Sequence, residues 1–194
     1  MQYYKEIDLE NISIIQEKCL AYIKSISLIY ERRDDPNPYR VSANSYAMPG
    51  AQLIAECPEL AESLEKVDDG FKCESVTVYI VDGPQNILGP HIDHFRHKAR
   101  LNIPLLNCVG TKTEFYSNVQ TKDVYTTSGG RSVKNIRIIN TDYIVESTYI
   151  PNPNRALIFL GSEAHRVIIP KNHPSPRIML SLSLDRDPVY LLED

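Results

Sequence analysis

The sequence predicts a mainly β chain with a helical N-terminal part, and three observations predict it. Apolar residues recur every three or four positions before residue 70; after it they alternate with polar ones; and Gly, Pro and Asn punctuate the alternating runs at short intervals. At 194 residues the chain is long enough for one core and short for two. We therefore expect a single domain over 1–194, with 1–70 helical and packed on a β core over 71–184. The runs leave little room for crossover helices, so the sheets should be antiparallel, closed or sandwiched, with the helices outside.

The first helix is expected from Leu9 to Tyr30, because Ile12, Ile15, Cys19, Ile23, Ile26 and Tyr30 form one apolar stripe. ERRDDPNPYR ends it, since Pro36 and Pro38 impose extended backbone before themselves. A short helix is expected over Ala51 to Glu56. Another starts at Pro58, a residue suited to a first turn, with Leu60, Leu64 and Val67 on one face. Asp69-Gly70 closes the helical part. Strands follow in SVTVYIV, RLNIPLL, TEFY, VYTT, YIVEST, RALIFL, RVII and RIMLSLSL, with Gly129-Gly130 as a turn and KNIRI at a strand edge.

Composition narrows the function classes. Hydrophobic residues make up 42% and charged residues 24%, and the net charge of -4 gives no support for binding a phosphate backbone, so no nucleic-acid partner is expected. The four cysteines stand far apart with no CxxC, as scattered buried thiols in a reducing compartment do. No arginine-led apolar leader opens the chain, and no apolar run approaches the roughly 20 residues that span a bilayer. A cytoplasmic protein without membrane contact is expected. Gly-rich phosphate loops, GxSxG and HExxH are absent.

Chemistry concentrates in GPHIDHFRHKARLNIPL, Gly89 to Leu105. In extended backbone His91 and Asp93 project to the same side and can converge on one point. Two ligands hold a metal poorly, so a third must come from elsewhere. His165 follows ALIFL and the turn GSEA, which places it at a strand mouth as His91 is. Two imidazoles and a carboxylate leave open coordination positions, a set suited to non-haem Fe(II). In the plainer reading His91 and Asp93 simply share a hydrogen bond. A helix after Gly89-Pro90 would instead present His91, His94 and His97 to zinc, but the alternation from Arg100 onward favours the extended arrangement. His94 and His97 otherwise read as lid or loop residues, and His173, between Asn172 and Pro174, as an exposed turn residue.

Two strands share a second feature. Arg100 and Asn102 lie on one face, opposite Leu101, Ile103 and Leu105; Arg177, Met179, Ser181 and Ser183 lie opposite Ile178, Leu180, Leu182 and Leu184. If the apolar faces pack on helices or a second sheet, the arginines point inward, and a buried charge stripped of its partner costs about 3–5 kcal/mol; in the plainer reading they are strand-end arginines reaching solvent or a surface acid. Glu114 or Glu146 could answer them, and a bound dicarboxylate fits equally well, because guanidinium grips carboxylate bidentately. Tyr79, on the face opposite Val78 and Ile80, could share that anion or simply fill the rim.

Together these motifs make the sequence resemble the Fe(II)/2-oxoglutarate-dependent oxygenases, in their aspartyl/asparaginyl β-hydroxylase and proline-hydroxylase-like branch. The likeness covers Phe71 to Leu184: HxD at His91 and Asp93, the distal His165, Arg177 twelve residues beyond it, and Arg100 nine beyond the first histidine in an RLxxPL-type strand. Asn102 departs from the branch, whose aspartyl hydroxylases carry a histidine there. The resemblance implies a double-stranded β-helix, a jelly-roll or cupin-like barrel of two short sheets. It implies Fe(II) on His91, Asp93 and His165, with 2-oxoglutarate and O2 as co-substrates. Arg177 would anchor the distal carboxylate and Arg100 would steady the other end; Tyr79, Asn102 and Ser181 are further candidates for binding the co-substrate, and the departure at Asn102 leaves its role open. The reaction implied is hydroxylation of an unactivated C–H bond, with succinate and CO2 as co-products. A small amino-acid-like or peptide substrate is expected, and Arg96, Lys98 and Arg166 would suit one carrying a carboxylate. Two alternatives remain: a non-catalytic or sensory cupin-like protein binding a metal or small acid, and an interaction barrel whose polar cluster is a solvated rim. Cupins usually give HxH with a following glutamate, which this chain lacks.

Overall fold

The computed structural model describes residues 2–26, 40–42, 45–68, 70–81, 89–93, 96–128 and 131–193. The C-terminal end expected for the first helix, its proline-rich exit, His94 and Gly129-Gly130 lie outside the described residues. Three α-helices are present among the described residues, α1 (Ile12–Ser25), α2 (Gly50–Glu56) and α3 (Pro58–Val67), with a 3-10 helix over Pro188–Leu192 near the C-terminal end. Ile15, Cys19 and Ile23 form the buried stripe of α1, and Pro58 opens α3 in its first turn, where its missing N–H has no partner to lose. α2 lies so close to the chain at Cys73 that a Cβ at Gly50 would stand 2.0 Å from the Cys73 carbonyl oxygen. An ion pair between Lys18 and Glu59 ties α1 to α3. No helix among the described residues is long and apolar enough to cross a membrane.

Twelve strands are present among the described residues: β1 (Tyr4–Ile7), β2 (Arg40–Ser42), β3 (Ser45–Pro49), β4 (Cys73–Val81), β5 (Ala99–Leu106), β6 (Lys112–Ser117), β7 (Thr121–Ser128), β8 (Arg131–Ile138), β9 (Ile144–Tyr149), β10 (Ala156–Leu160), β11 (His165–Ile168) and β12 (Arg177–Leu184). They form a seven-stranded antiparallel sheet, β1-β10-β5-β12-β4-β3-β2, a three-stranded sheet, β11-β6-β9, and a separate β7-β8 hairpin.

The expected barrel is not there. The sheets are antiparallel and mainly β with N-terminal helices, as expected, but they do not close on themselves. The reason lies partly in the N-terminal segment, which carries three strands besides its helices. β1 extends the large sheet at one edge, and β3 with β2 extends it at the other. At the same time β7 and β8 pair with each other rather than widening the small sheet. An isolated bridge between His91 and His165 joins the segment before β5 to the start of β11.

Strand register separates the two faces of the large sheet. Ser181 of β12 lies opposite Thr77 of β4 and Asn102 of β5, while Met179 lies opposite Tyr79 and Arg177 opposite Val81. Because side chains alternate, Tyr79, Asn102, Arg177, Met179 and Ser181 share one face with Arg100. The other face carries Val76, Val78, Leu101, Ile103, Ile178, Leu180 and Leu182, all fully buried in one core with Ile15, Leu53, Leu60 and Leu64 of the helices. Burial of this continuous apolar surface is the main driving force for docking the helices. On the polar face Leu157 and Phe159 of β10 meet Phe115 and Tyr149 of the small sheet in a second, smaller cluster.

Candidate metal centre

His91, Asp93 and His165 come together although 72 residues separate Asp93 from His165 in the chain. Backbone pairing does this: His91 and His165 exchange hydrogen bonds of 2.9 Å in both directions, and the Asp93 N–H donates to the Gly161 carbonyl at 2.8 Å. The chain after β10 turns at Gly161, and the turn packs against Asp93. A Cβ at Gly161 would lie 3.1 Å from Asp93 Oδ2 and 3.3 Å from its Cβ. Glycine there keeps the carboxylate in place.

One ligand atom from each of the three residues lies within 4.8 Å of the others. Asp93 Oδ1 is 3.7 Å from His91 Nε2, and Asp93 Oδ2 is 3.7 Å from His165 Nε2. These separations are too long for hydrogen bonds, which removes the reading of His91 and Asp93 as a simple bonded pair. Each imidazole instead uses its other nitrogen: His91 Nδ1 stands 3.1 Å from the Gly89 carbonyl and His165 Nδ1 2.9 Å from the Glu163 carbonyl. A carbonyl can only accept, so Nδ1 carries the hydrogen and Nε2 presents a lone pair. Two imidazole nitrogens and a carboxylate converging on one point form a site for a cation. Burial pushes the His165 imidazole below the usual histidine range, against the opposing pull of Asp93, so it is held neutral and ready to ligate. Phe115 and Phe159 flank it, with ring centroids 6.1 and 5.4 Å away.

The remaining residues singled out in the sequence fall at several places. Arg177 is 5% exposed, its Nε has no hydrogen-bond partner, and no ion pair joins it among the described residues. Burial lowers its pKa, and the opposing influence comes from the thiol of Cys108, not from a carboxylate. Arg100 is 3% exposed and donates from Nη2 to the Ser181 carbonyl at 3.1 Å. The fields of Tyr79 and Asp93 reach Arg100, which places it at the triad end of the face. Tyr79 is pushed up to about 12 by burial and then by Asp93, with Arg100 opposing. Asn102 Oδ1 is buried without a hydrogen-bond partner beside the buried Ser181. Glu114 takes Lys112 and the Tyr116 hydroxyl, and Glu146 takes the Ser117 hydroxyl, so neither answers Arg177. His97 is half-buried and outside the triad. His173 is half-buried too, its Nε2 2.6 Å from the Asn107 carbonyl.

Sequence reasoning missed Gly161 and Cys108. Gly161 was legible only as a turn residue. The Cys108 thiol, which donates to the Ile178 carbonyl at 3.1 Å, carries no spacing signal at all.

No protein-family model matches the sequence, and no curated protein does. Among solved structures the chain is similar to a non-haem monooxygenase, ThoJ in complex with nickel. The two are 11% identical, over 94% of this chain and 73% of that one, with a TM-score of 0.51. It is also similar to a truncated viral collagen prolyl hydroxylase, vCPH from Paramecium Bursaria Chlorella virus-1. Here the identity is 13%, over 94% of this chain and 89% of that one, with a TM-score of 0.50. At these identities the likeness is one of fold.

Proposed function

We propose that this chain, which has the fold and the two-histidine, one-carboxylate triad of the Fe(II)/2-oxoglutarate-dependent oxygenase superfamily, is a dioxygenase that hydroxylates an unactivated C–H bond. The observation that carries the reading is the pairing of two unmet demands on one side of the large sheet: the three converging ligand atoms of the triad, and the buried Arg177 guanidinium, which has no acid partner among the described residues. Iron bound with 2-oxoglutarate and O2 supplies the oxidising power.

The chain's own residues do the rest. His91, Asp93 and His165 would hold the metal, a ligand set that leaves room for further ligands. Arg177 receives the distal carboxylate of 2-oxoglutarate, an acid that answers a charge otherwise stripped of water. Asn102 and Ser181 line the same face between the two arginines, and Arg100 and Tyr79 flank the triad end. Phe115 and Phe159 form a dry wall behind His165, which keeps its imidazole neutral. The substrate proposed is a small amino-acid-like molecule or a peptide. A cytoplasmic setting suits the four cysteines, all of which are free thiols.

Anaerobic titration tests the reading. The chain should bind Fe(II) with one equivalent per triad, and 2-oxoglutarate should bind the metal-loaded protein. Loss of the first in Asp93→Ala and of the second in Arg177→Ala is expected. A protein that takes up neither ligand is not an oxygenase, and one that takes up both without ever forming succinate is a binding protein.

A further inference from the structure

Beside the start of β1 and the outer strand of the small sheet, β9, lies an open cavity of about 420 Å3 lined by Gln2, Tyr3, Tyr4, Glu146 and Ser147. Its aromatic side is prearranged. Tyr3 and Tyr4 stack on Phe115 with ring centroids 5.1 and 5.9 Å away, and the Tyr4 hydroxyl donates to the Thr148 carbonyl of β9 at 3.1 Å. Its electrostatic side is acidic. Burial and then the charges of Glu146 and Glu163 raise the pKa of the Tyr3 hydroxyl, and no cation is among the charges that act on it. Among the described residues neither glutamate belongs to an ion pair. Tyrosine side chains beside the Glu146 carboxylate, which has no ion pair among the described residues, complement an organic cation, drawn by the aromatic wall and by the acid. Phe115, on which Tyr3 stacks, also has its ring centroid 6.1 Å from that of His165, so the aromatic wall of the cavity reaches the distal histidine of the triad.

We propose that this cavity seats an ammonium or guanidinium group of the molecule that is hydroxylated. The assignment to substrate rests on the oxygenase reading; the affinity for a cation does not. A free cationic amino acid and a basic peptide share the group, and both are probed.

Calorimetric titration of the metal-free full chain uses N-acetyl-lysine amide, N-acetyl-arginine amide and the neutral N-acetyl-norleucine amide, with free arginine and an arginine-centred pentapeptide alongside. Cationic probes should bind at least about tenfold more tightly than the norleucine compound, and Glu146→Gln should weaken them by about tenfold. The tighter of free arginine and the pentapeptide identifies the source. Tyr3→Leu should also lose the preference, and Glu146→Gln, a change at an exposed side chain, keeps the test sound if Tyr3→Leu fails to fold. Equal binding of the norleucine compound, or an unchanged affinity in Glu146→Gln, overturns the cation site. With Mn(II) in the triad, the bound probe's protons should relax faster. A probe that binds without that enhancement overturns the assignment to substrate. A chain that takes up no metal ends the oxygenase reading while leaving the metal-free titration to be read on its own.

Discussion

Arg177 is a cation held in the interior with an Nε that finds no acceptor. Replacing a buried charge that lacks a partner with an apolar side chain of similar length should not destabilise the empty protein. Arg177→Met is therefore expected to melt at or above the wild-type temperature. Added 2-oxoglutarate with metal should raise the wild-type Tm and leave the variant's unchanged, because only a ligand that binds the native state stabilises it. Gly161 acts on the triad through a neighbour. In Gly161→Ala the new methyl crowds Asp93, and metal affinity should fall by about 10–100-fold with the fold kept, as equilibrium competition with a chelator would read. His165 gives a pH dependence. Burial holds its folded pKa below the ordinary 6.5, so the unfolded chain takes up a proton before the folded one does. The metal-free protein should therefore lose stability as pH falls through 6.5. Urea midpoints at pH 7.5 and 5.5 should show a smaller fall in His165→Gln. His91 and Asp93 were legible because period-two spacing puts both on one side, and His165 because a histidine follows a strand and a turn. Gly161 and Cys108 were not, since a turn glycine and a lone thiol look alike wherever they stand.

The strands divide stability from chemistry. β5 alternates Ile103 toward the helices with Asn102 toward Ser181, so adjacent residues should respond to different assays. Ile103→Ala should cost about 2–5 kcal/mol in urea unfolding and leave metal affinity intact. Asn102→Ala should change co-substrate affinity far more than stability, because it removes an amide oxygen that is buried without a partner. The alternation in RLNIPLL and RIMLSLSL made these faces readable in advance. β1, β2 and β3 were not readable: they are three to five residues long, too short for an alternating pattern to stand out, and β1 and β2 are edge strands with one flank open. Closure was beyond the pattern for the same reason. Periodicity reports which face of a strand is buried, but not which neighbour the last strand pairs with.

Across the molecule, the helices cover one side of the large sheet with a continuous apolar core, and the small sheet faces the other. Chemistry lies on the side the helices leave alone. His91 and His165 pair where the two sheets come together, and the polar face of β4, β5 and β12 runs from there to Arg177. On the proposed reading one ligand spans from metal to guanidinium, and 2-oxoglutarate has a carboxylate at each end to do so. The most direct measurement is succinate formation from 2-oxoglutarate under air, by the wild-type chain and by Asp93→Ala and Arg177→Ala, with and without Fe(II). Iron-dependent succinate from the wild type, lost in both variants while their folds persist, is the expected result. Succinate formed equally without iron, or undiminished in either variant, would contradict the account.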